Sequence, residues 1–540
     1  MSKFTITIID TSGIQGYIFS SNRLRENIGA SHLVSEVTGD WVEETLDQLD
    51  VPKNQQKEPI ERSRLNAELV YAGGGNTLIV FRTREIAIEF TKVLSKRVLE
   101  DAPGINLVVA HKEFDWDTEH LYQVVKDLME GEIDRRKHER IPSVPLLGLG
   151  VTATCNSTQL PAVDRSNEYI QYGDEEEADS YFISTETKQK LKAVDRTNKK
   201  LQKMFAEVVD QNIFQFPYRT DHLGRSEKES SYVAIVHADG NGMGKRFQKY
   251  GEEAKNNRDY IQRMRDFSTS VDEAGKNALK AVVQVITKSI QQGKVIGKLG
   301  EFQLKAKYYL PFRPLVYGGD DITFICEGRL GLELAALFLR EFEEQPVADG
   351  QKLTACAGVC VVKTHYPFAR AYKISEELCK EAKKFVKKNK EFEPDGFSAI
   401  DWHLAASGLL GSIVEIRKLE YQISVDNQDV CHLQMRPVRL EKHSIEWRTW
   451  EGFTQVVKEF KQGEDWKERH NKVMALREVL RKASKDATKE FLSAYRLSQL
   501  PSFPESSGQS EQLAKDGWKD GICGYFDAIE AMEFYLELGD

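Results

Sequence analysis

Runs of apolar residues, some alternating with polar ones, mark strands along the chain, and three of these runs occur twice in the same order. Each copy has a strand that ends in an aspartate, then a hairpin with glycines at its tip, then a third apolar run. The runs are "FTITIID" (4–10), "LVYAGGGNTLIVF" (69–81) and "GINLVVAHKEF" (104–114) in the first copy, and "YVAIVHADG" (232–240), "LVYGGDDITFIC" (315–326) and "KLTACAGVCVVKTHYPF" (352–368) in the second. This ordered repetition predicts a duplicated domain.

Helical periodicity fills the gaps between these strands. In the second copy, apolar residues recur at helical spacing within 255–293, and two more helical patterns follow at 329–345 and 367–389. Each copy therefore has the order strand, helix, strand, turn, strand, helix, strand, which is typical of a ferredoxin-like sheet. We predict an α+β fold with two ferredoxin-like domains, a connecting domain and a C-terminal helical bundle.

The domain boundaries follow from the same patterns. Between the copies the chain is polar and includes the acidic stretch "GDEEEADS" at 173–180, which we expect to be an exposed loop. The predicted domains are the first copy at 1–130, a connecting domain at 131–225, the second copy at 226–405 and the helical domain at 406–540.

Composition and charge narrow the class of protein. Of the 540 residues, 40% are hydrophobic and 29% are charged, as in ordinary globular proteins. A net charge of −9 argues against a protein that coats nucleic acid through bulk electrostatics. Because neither a membrane-spanning segment nor a signal peptide is recognisable, we expect a cytoplasmic protein. The seven cysteines include no C-x-x-C pair, so the spacing gives no zinc site.

The hairpin of the second copy carries two adjacent carboxylates at its tip. Gly318 and Gly319 favour a tight turn, and Asp320 and Asp321 follow at once. Two carboxylates this close raise each other's pKa unless a positive group compensates them. A third carboxylate, Asp239, ends the strand that this topology places beside the hairpin. We predict that the three aspartates are catalytic and bind Mg²⁺ or Mn²⁺, which prefer oxygen ligands.

A glycine-rich loop, "GNGMGK" at 240–245, follows Asp239 directly. Its amides and the start of the next helix can bind phosphate oxygens. Lys383, on the helix after the last strand, could reach a triphosphate, although a solvated lysine on a lysine-rich helix face is an equal alternative. Metal ligands beside a phosphate loop predict two-metal phosphoryl or nucleotidyl transfer.

The first copy lacks the paired carboxylates. It has Gly75 and Asn76 where the second copy has Asp320 and Asp321, and only Asp10 remains. We therefore predict that the first copy is catalytically silent and serves packing or forms one wall of the site.

Other polar residues have simpler explanations. His237 lies two residues before Asp239, and we expect it to be a packed or hydrogen-bonded residue. Asp401 and His403 in "AIDWHLA" are predicted to lie at a capped helix start. The sequence contains no Walker-type phosphate loop and no His-x-x-x-His metal helix.

Taken together, these motifs resemble a known family, the large palm-domain subunit of type III CRISPR effector complexes and its stand-alone relatives called CRISPR polymerases. The resemblance is carried by "DTSGIQGYIF", "YAGGGNTLIVF", "HADGNGMGKRF", "VYGGDDITF", "ACAGVCVVKTHYPFARAYKISEELCKEAKK" and "FSAIDWH". It implies that the two copies are palm domains related to GGDEF cyclases.

The resemblance also implies an activity and its residues. The second palm domain would bind ATP and two divalent ions and make cyclic oligoadenylate messengers for antiviral signalling. Asp239, Asp320 and Asp321 would hold the ions. The residues assigned to the nucleotide are Gly240, Asn241, Gly242, Gly244, Gly319 and Lys383.

Two departures from the family pattern limit these implications. Many relatives carry an N-terminal HD nuclease domain, whereas this chain has no His-Asp motif, so DNase activity is not expected. Many also have paired zinc-binding cysteines in the connecting domain, where this chain offers only Cys155. A structural zinc is therefore not supported.

The sequence is also compatible with two other functions. The chain could be the large scaffold subunit of an RNA-guided complex, holding CRISPR RNA, target RNA and partner subunits, with cyclase activity only when target RNA is bound. A template-directed polymerase is less favoured, because the chain is duplicated and has no strongly basic groove.

Overall fold

The computed structural model describes residues 3–139, 150–169, 180–223, 231–304, 308–389, 396–405, 411–424, 430–443, 446–504 and 510–539. All but the last residue of the predicted acidic loop at 173–180 lies outside these ranges. The mixed α+β class expected from the sequence is confirmed.

The first copy folds into a four-stranded antiparallel sheet with the order β2-β3-β1-β4. Its elements are β1 (Lys3–Ser12), α1 (Ile14–Phe19), α2 (Leu24–Thr38), α3 (Asp40–Gln48), β2 (Ala67–Gly73), β3 (Asn76–Phe81), α4 (Arg84–Asp101), β4 (Asn106–Asp115), α5 (Leu121–Asp127), a π-helical turn (Leu128–Ile133) and α6 (Asp134–Glu139).

Two short strands and a long helix connect the copies. They are β5 (Asp164–Arg165), β6 (Phe182–Ile183) and α7 (Thr185–Met204). Helix α7 begins where the Ser184 side chain accepts a hydrogen bond from the Thr187 amide, and its apolar side packs against the first copy.

The second copy forms the centre of a six-stranded sheet with the order β11-β12-β7-β13-β14-β17. Its first four strands have the same order as those of the first copy. The elements are β7 (Tyr232–Gly240), α8 (Met243–Glu252), α9 (Asn257–Ser289), β8 (Ile290–Gln291), β9 (Lys294–Gly297), β10 (Gly300–Gln303), β11 (Phe312–Gly318), β12 (Asp321–Glu327), α10 (Gly331–Glu343), β13 (Ala355–Lys363), α11 (Phe368–Lys388) and β14 (Ala399–Ala405).

Among the described residues, the C-terminal region contains six helices and also short strands that the sequence did not reveal. A helical bundle in this region stays a prediction. The elements are α12 (Ile413–Glu420), β15 (Gln422–Ser424), β16 (Val430–His432), β17 (Val438–Arg439), α13 (Trp450–Gln462), α14 (His470–Leu480), α15 (Lys485–Ala494), α16 (Ser510–Asp516), β18 (Trp518–Lys519), β19 (Ile522–Cys523) and α17 (Phe526–Ala531). Four of these strands pair in the order β15-β16-β19-β18.

A shared core joins the C-terminal region to the second sheet. Trp402 of β14 is fully buried and packs edge-to-face on Trp450 and against Phe453, both in α13. Burying one large apolar side chain contributes roughly 1.5–3 kcal/mol. Strand β17 also pairs with β14, so the sheet of the second copy extends into residues beyond 405.

The predicted helix start at Asp401 and His403 is wrong, because both residues lie on β14. That strand pairs in parallel with β13. Asp401 is fully buried and accepts hydrogen bonds from Arg417 at 2.8 and 2.5 Å. A buried carboxylate needs such a partner, and the arginine lies sixteen residues further along the chain.

None of the helices in the described ranges is both long enough and apolar enough to cross a membrane.

Candidate active site

Strand register brings Asp239 and Asp321 together. In the antiparallel pairing of β7 with β12, these two residues are direct Cα partners. Directly opposed residues present their side chains on the same face of the sheet. The two carboxylates that are 82 positions apart in sequence therefore share one face at the end of both strands.

Asp320 joins them from the turn before β12. The Gly240 amide donates a hydrogen bond to the Asp320 carbonyl at 3.3 Å. A Cβ atom on Gly240 would lie 2.8 Å from both Cβ and Oδ2 of Asp320, so only glycine leaves room for this carboxylate. The absence of a side chain at Gly240 thus allows the third aspartate to approach the end of β7.

The electrostatics of the turn oppose ionisation of both aspartates. Burial, and next the charge of Asp239, raises the pKa of Asp320 and of Asp321 to about 7. One oxygen of Asp321, Oδ1, is buried and accepts no hydrogen bond among the described residues, although the side chain as a whole is 44% exposed. One carboxylate oxygen is thus shielded while the other faces solvent.

Lys383 of α11 lies against Asp239. Its Nζ donates to Asp239 Oδ2 at 2.5 Å and to the Gly240 carbonyl at 2.9 Å. Burial is the largest single influence and lowers the pKa of Lys383, but the charge of Asp239 and its hydrogen bond, acting together with weaker contributions, make the net shift of this pKa upward. This ammonium compensates Asp239, so it does not neutralise the carboxylates of the turn to the same extent.

The glycine loop turns directly into helix α8. Gly242 precedes the helix with a φ of +68°, in the left-handed region that favours glycine. The first amides of a helix have no intrahelical acceptor and are free to bind an anion. A Cβ atom at Gly244 or at Gly319, where φ is +72°, would meet nothing within 4 Å, so both glycines border open space.

Asn241 is held by the protein itself. Its amide nitrogen Nδ2 donates to Thr354 Oγ1 at 3.2 Å and to the Phe397 carbonyl at 3.1 Å. Its backbone amide donates to the Thr354 carbonyl at 2.8 Å. These contacts fix the loop to the edge of β13, and a direct contact of Asn241 with nucleotide stays a prediction.

His237 lies underneath Asp321 and is a packed residue, as we expected. Its Nδ1 is 3.2 Å from Thr323 Oγ1 and 3.4 Å from Asp321 Oδ1. Burial is the largest cause that lowers the His237 pKa, to about 4, so the ring is neutral at pH 7.

The carboxylates fit a hard divalent cation. Asp320 and Asp321 are adjacent and have little compensating positive charge, and Asp321 offers a buried oxygen to which no described residue donates a hydrogen bond. Over the described ranges, no group of three or more His, Cys, Asp or Glu residues is already arranged as a metal site. Asp239 is at present engaged by Lys383, so its binding of a metal would require that lysine to move.

The first copy has a related ion pair that the sequence did not reveal. Lys137 of α6 forms an ion pair with Asp10, as Lys383 of α11 does with Asp239. Asn76 is the direct strand partner of Asp10, and its Oδ1 is buried with no hydrogen-bond partner in the part of the chain that the structure describes. The 127 positions between Asp10 and Lys137 explain why no local motif could signal this pair.

The glycine tips of the two hairpins touch each other. A Cβ atom on Gly318 would lie 3.8 Å from Gly74 Cα of the first copy. The carboxylates of the second copy therefore lie at the seam between the two sheets, and whether the first copy serves packing or forms a wall of the site stays a prediction.

Comparison with known proteins identifies the second copy. Residues 232–391 match the family model described as Cas10/Cmr2, second palm domain. No curated protein sequence was found to match the chain.

Solved structures share the fold at low sequence identity. A Csm1-Csm4 cassette in complex with pppApA matches with a TM-score of 0.54 and 15% identity over 98% of this chain and 69% of that chain. The cassette with pppApApA gives 0.53 with the same identity and coverages. Csm1 from T. onnurineus gives 0.52 and 15% identity over 98% of this chain and 70% of its own.

The chain spans only part of these larger proteins. In the match to the cassette with cA3 it covers 53% of that chain. The resemblance to the large palm-domain subunit of type III CRISPR systems, indicated by the sequence motifs, is confirmed, and the family match lies in the second palm domain at residues 232–391.

Proposed function

We propose that the chain is a nucleotidyltransferase that joins ATP, or other nucleoside triphosphates, through 3′–5′ phosphodiester bonds into cyclic oligonucleotides. The observation that carries this proposal is the convergence of Asp239, Asp320 and Asp321 beside the glycine loop at 240–245. Two-metal transfer of a nucleotidyl group needs carboxylates and a phosphate-binding loop at one place.

In this proposal Asp239, Asp320 and Asp321 hold two Mg²⁺ or Mn²⁺ ions. Such ions, when bound, activate a ribose 3′-hydroxyl and stabilise charge on the leaving pyrophosphate. Because the pKa of Asp320 and of Asp321 is raised to about 7, ion binding releases protons from these carboxyls near neutral pH.

The remaining residues bind the triphosphate. The amides at the start of α8 face the phosphates, with Gly242, Gly244 and Gly319 leaving space for close approach. Gly240 makes room for Asp320 beside them. Lys383 leaves Asp239 when the ion binds there and donates to a phosphate oxygen instead. Asn241 holds the loop in place.

The related structures support adenylates as the ligand class. Csm1-Csm4 cassettes with the same fold have been solved in complex with pppApA, pppApApA and cA4. Two linear products and a ring are what stepwise joining of ATP followed by closure would give. On this proposal, residues 1–130 are a silent first palm domain and 226–405 are the catalytic one.

The test is a product assay with the purified full chain. Each nucleoside triphosphate, alone and in mixtures, is incubated with Mg²⁺ or Mn²⁺, and products are identified by mass spectrometry. We expect cyclic or linear oligonucleotides that are absent with Asp320→Ala/Asp321→Ala. Products that persist in this double variant would contradict the assignment of the site.

A second candidate is a large subunit of an RNA-guided complex. The related chains were solved as parts of a cassette with a second protein, Csm4, which favours an assembly. In this case the chain binds CRISPR RNA and partner subunits, and makes product only when target RNA is added. Co-purified RNA, measured as absorbance at 260 against 280 nm, and RNA-dependent turnover distinguish this candidate from a stand-alone enzyme.

A further inference from the structure

Helix α9 touches the backbone of the turn that carries Asp320 and Asp321. A Cβ atom on Gly275 would lie 2.7 Å from the Gly319 carbonyl oxygen and 3.3 Å from Ile322 Cδ1. One turn earlier, Asp272 Oδ1 accepts a long hydrogen bond, 3.5 Å, from the Gly319 amide. Asp272 also pairs with Lys276 on its own helix.

Gly275 is an unusual residue for its place in the helix. Helix α9 spans 33 residues, and Gly275 is its only glycine. Glycine is among the least favourable residues inside a helix because it loses most backbone freedom there. The contact with Gly319 supplies a physical reason for it, since any side chain would press on the backbone of the turn.

The same helix is fixed to the first copy. Arg258 donates to both carboxylate oxygens of Glu68 at 2.5 and 2.8 Å, and Arg265 donates to the Leu69 carbonyl at 2.8 Å. Glu68 is fully buried on β2. Helix α9 therefore has a firm attachment to one hairpin and a close contact with the other.

We propose that Gly275 and Asp272 are positioning residues for the turn that carries Asp320 and Asp321. This inference rests on the proposed function and adds residues to it that no sequence motif indicated. The turn is confined between α9 on one side and Gly74 of the first copy on another. A methyl group at position 275 would displace the turn, and with it both carboxylates, relative to Asp239.

The experiment compares Gly275→Ala with Gly131→Ala in the full chain. Gly131 is an exposed helical glycine where a Cβ atom would meet nothing within 4 Å, so it controls for the added methyl. We measure kcat and KM for ATP with Mg²⁺, the affinity for Mn²⁺ by calorimetry without nucleotide, and the thermal midpoint.

A displacement of about 1 Å at reacting groups can lower the rate roughly 100-fold. We expect Gly275→Ala to lower kcat about 10- to 100-fold and to weaken Mn²⁺ binding, with KM changed much less. Gly131→Ala should match the wild type. A merely structural role would lower the thermal midpoint and leave kcat of the folded protein and Mn²⁺ affinity unchanged, which would overturn the proposal.

A second pair of variants applies if Gly275→Ala does not fold. Asp272→Ala removes the acceptor for the Gly319 amide, and Glu273→Ala changes the exposed neighbouring carboxylate as a control. We expect a several-fold loss of kcat and weaker Mn²⁺ binding only for Asp272→Ala, and equal behaviour of the pair would overturn the role of Asp272. If the wild type makes no product, the proposed function fails. The Mn²⁺ affinities alone then test whether Gly275 and Asp272 position the turn.

Discussion

The two hairpin sites of this chain have the same strand order but different polar residues at the turn. In each, an aspartate near the end of a central strand pairs with a lysine from a helix that follows the last strand, Asp10 with Lys137 and Asp239 with Lys383. At the turn, Asn76 faces Asp10 whereas Asp321 faces Asp239.

The difference lies in uncompensated negative charge. In the first copy one carboxylate meets one ammonium, and the pair is balanced without any ligand. In the second copy two more carboxyls are added, and burial together with the Asp239 charge raises the pKa of both to about 7. The same strand and turn arrangement can thus be kept without the carboxylates of a metal site. Only the copy with excess negative charge is expected to bind divalent ions.

The largest effect is expected from removing the two carboxylates of the second turn, so that this turn is uncharged like that of the first copy. Asp320→Asn/Asp321→Asn keeps size and removes both carboxylates. Because metal ions contribute several kcal/mol to such reactions, nucleotidyl transfer should fall roughly 1,000-fold or more. Product formation measured by mass spectrometry checks this.

The matched control for that variant is Asp10→Asn. Activity within about twofold of wild type is expected for it, since Asp10 is engaged by Lys137 in the first copy. A comparable loss in both variants would mean that both copies contribute to catalysis and that the first copy is not silent.

A smaller effect should separate the two lysines. Lys383→Met removes a donor proposed for phosphate, and losing one such donor typically lowers kcat roughly 100-fold. Lys137→Met removes the corresponding ammonium of the first copy and should leave kcat unchanged. Steady-state kinetics on both variants measure this, and equal losses would argue that Lys383 only supports the fold.

Most candidate residues of the second site could be found from the sequence alone because they lie in short local motifs. The hairpin at 315–326 and the loop at 240–245 each carry their residues within a few positions, and the predicted strand order placed the hairpin beside the strand that ends at the loop. The Asp10–Lys137 pair and the contact of Gly275 with Gly319 were not predictable, since each depends on packing between distant segments.

The fold was predictable to a similar degree. Long periodic segments gave α9, α10 and α11 within a few residues of their observed bounds. The two- and three-residue strands β15, β16, β18 and β19 carry too few residues to show alternation. Asp401 was misassigned because its partner Arg417 becomes adjacent only after β14 and α12 pack together.

An effect on stability is expected from adding charge to the first turn. Asn76→Asp places a second carboxyl opposite the buried Asp10, which should raise the pKa of the new group. The folded state then holds a proton that the unfolded state has lost, so stability falls as pH rises above about 4. A shift of one to two units corresponds to roughly 1.4–2.7 kcal/mol, measurable as a denaturation midpoint that falls more steeply between pH 4 and pH 6 in the variant than in the wild type.

The smallest effect concerns the pH dependence of the wild type without divalent ions. Since the pKa of Asp320 and of Asp321 is about 7 in the folded chain and near 3.8 when unfolded, stability should decrease as pH rises through this window. Solvent screens a half-exposed carboxylate such as Asp321, so we expect the free energy of unfolding to decrease by only about 1 kcal/mol. The denaturation midpoint in EDTA should fall from pH 5 to pH 8, and saturating Mg²⁺ should restore it because the ion replaces the missing positive charge. In Asp320→Asn/Asp321→Asn both the fall and its reversal by Mg²⁺ should be lost, whereas Asp10→Asn should retain them, so that the pH response by itself assigns the excess charge to the second copy.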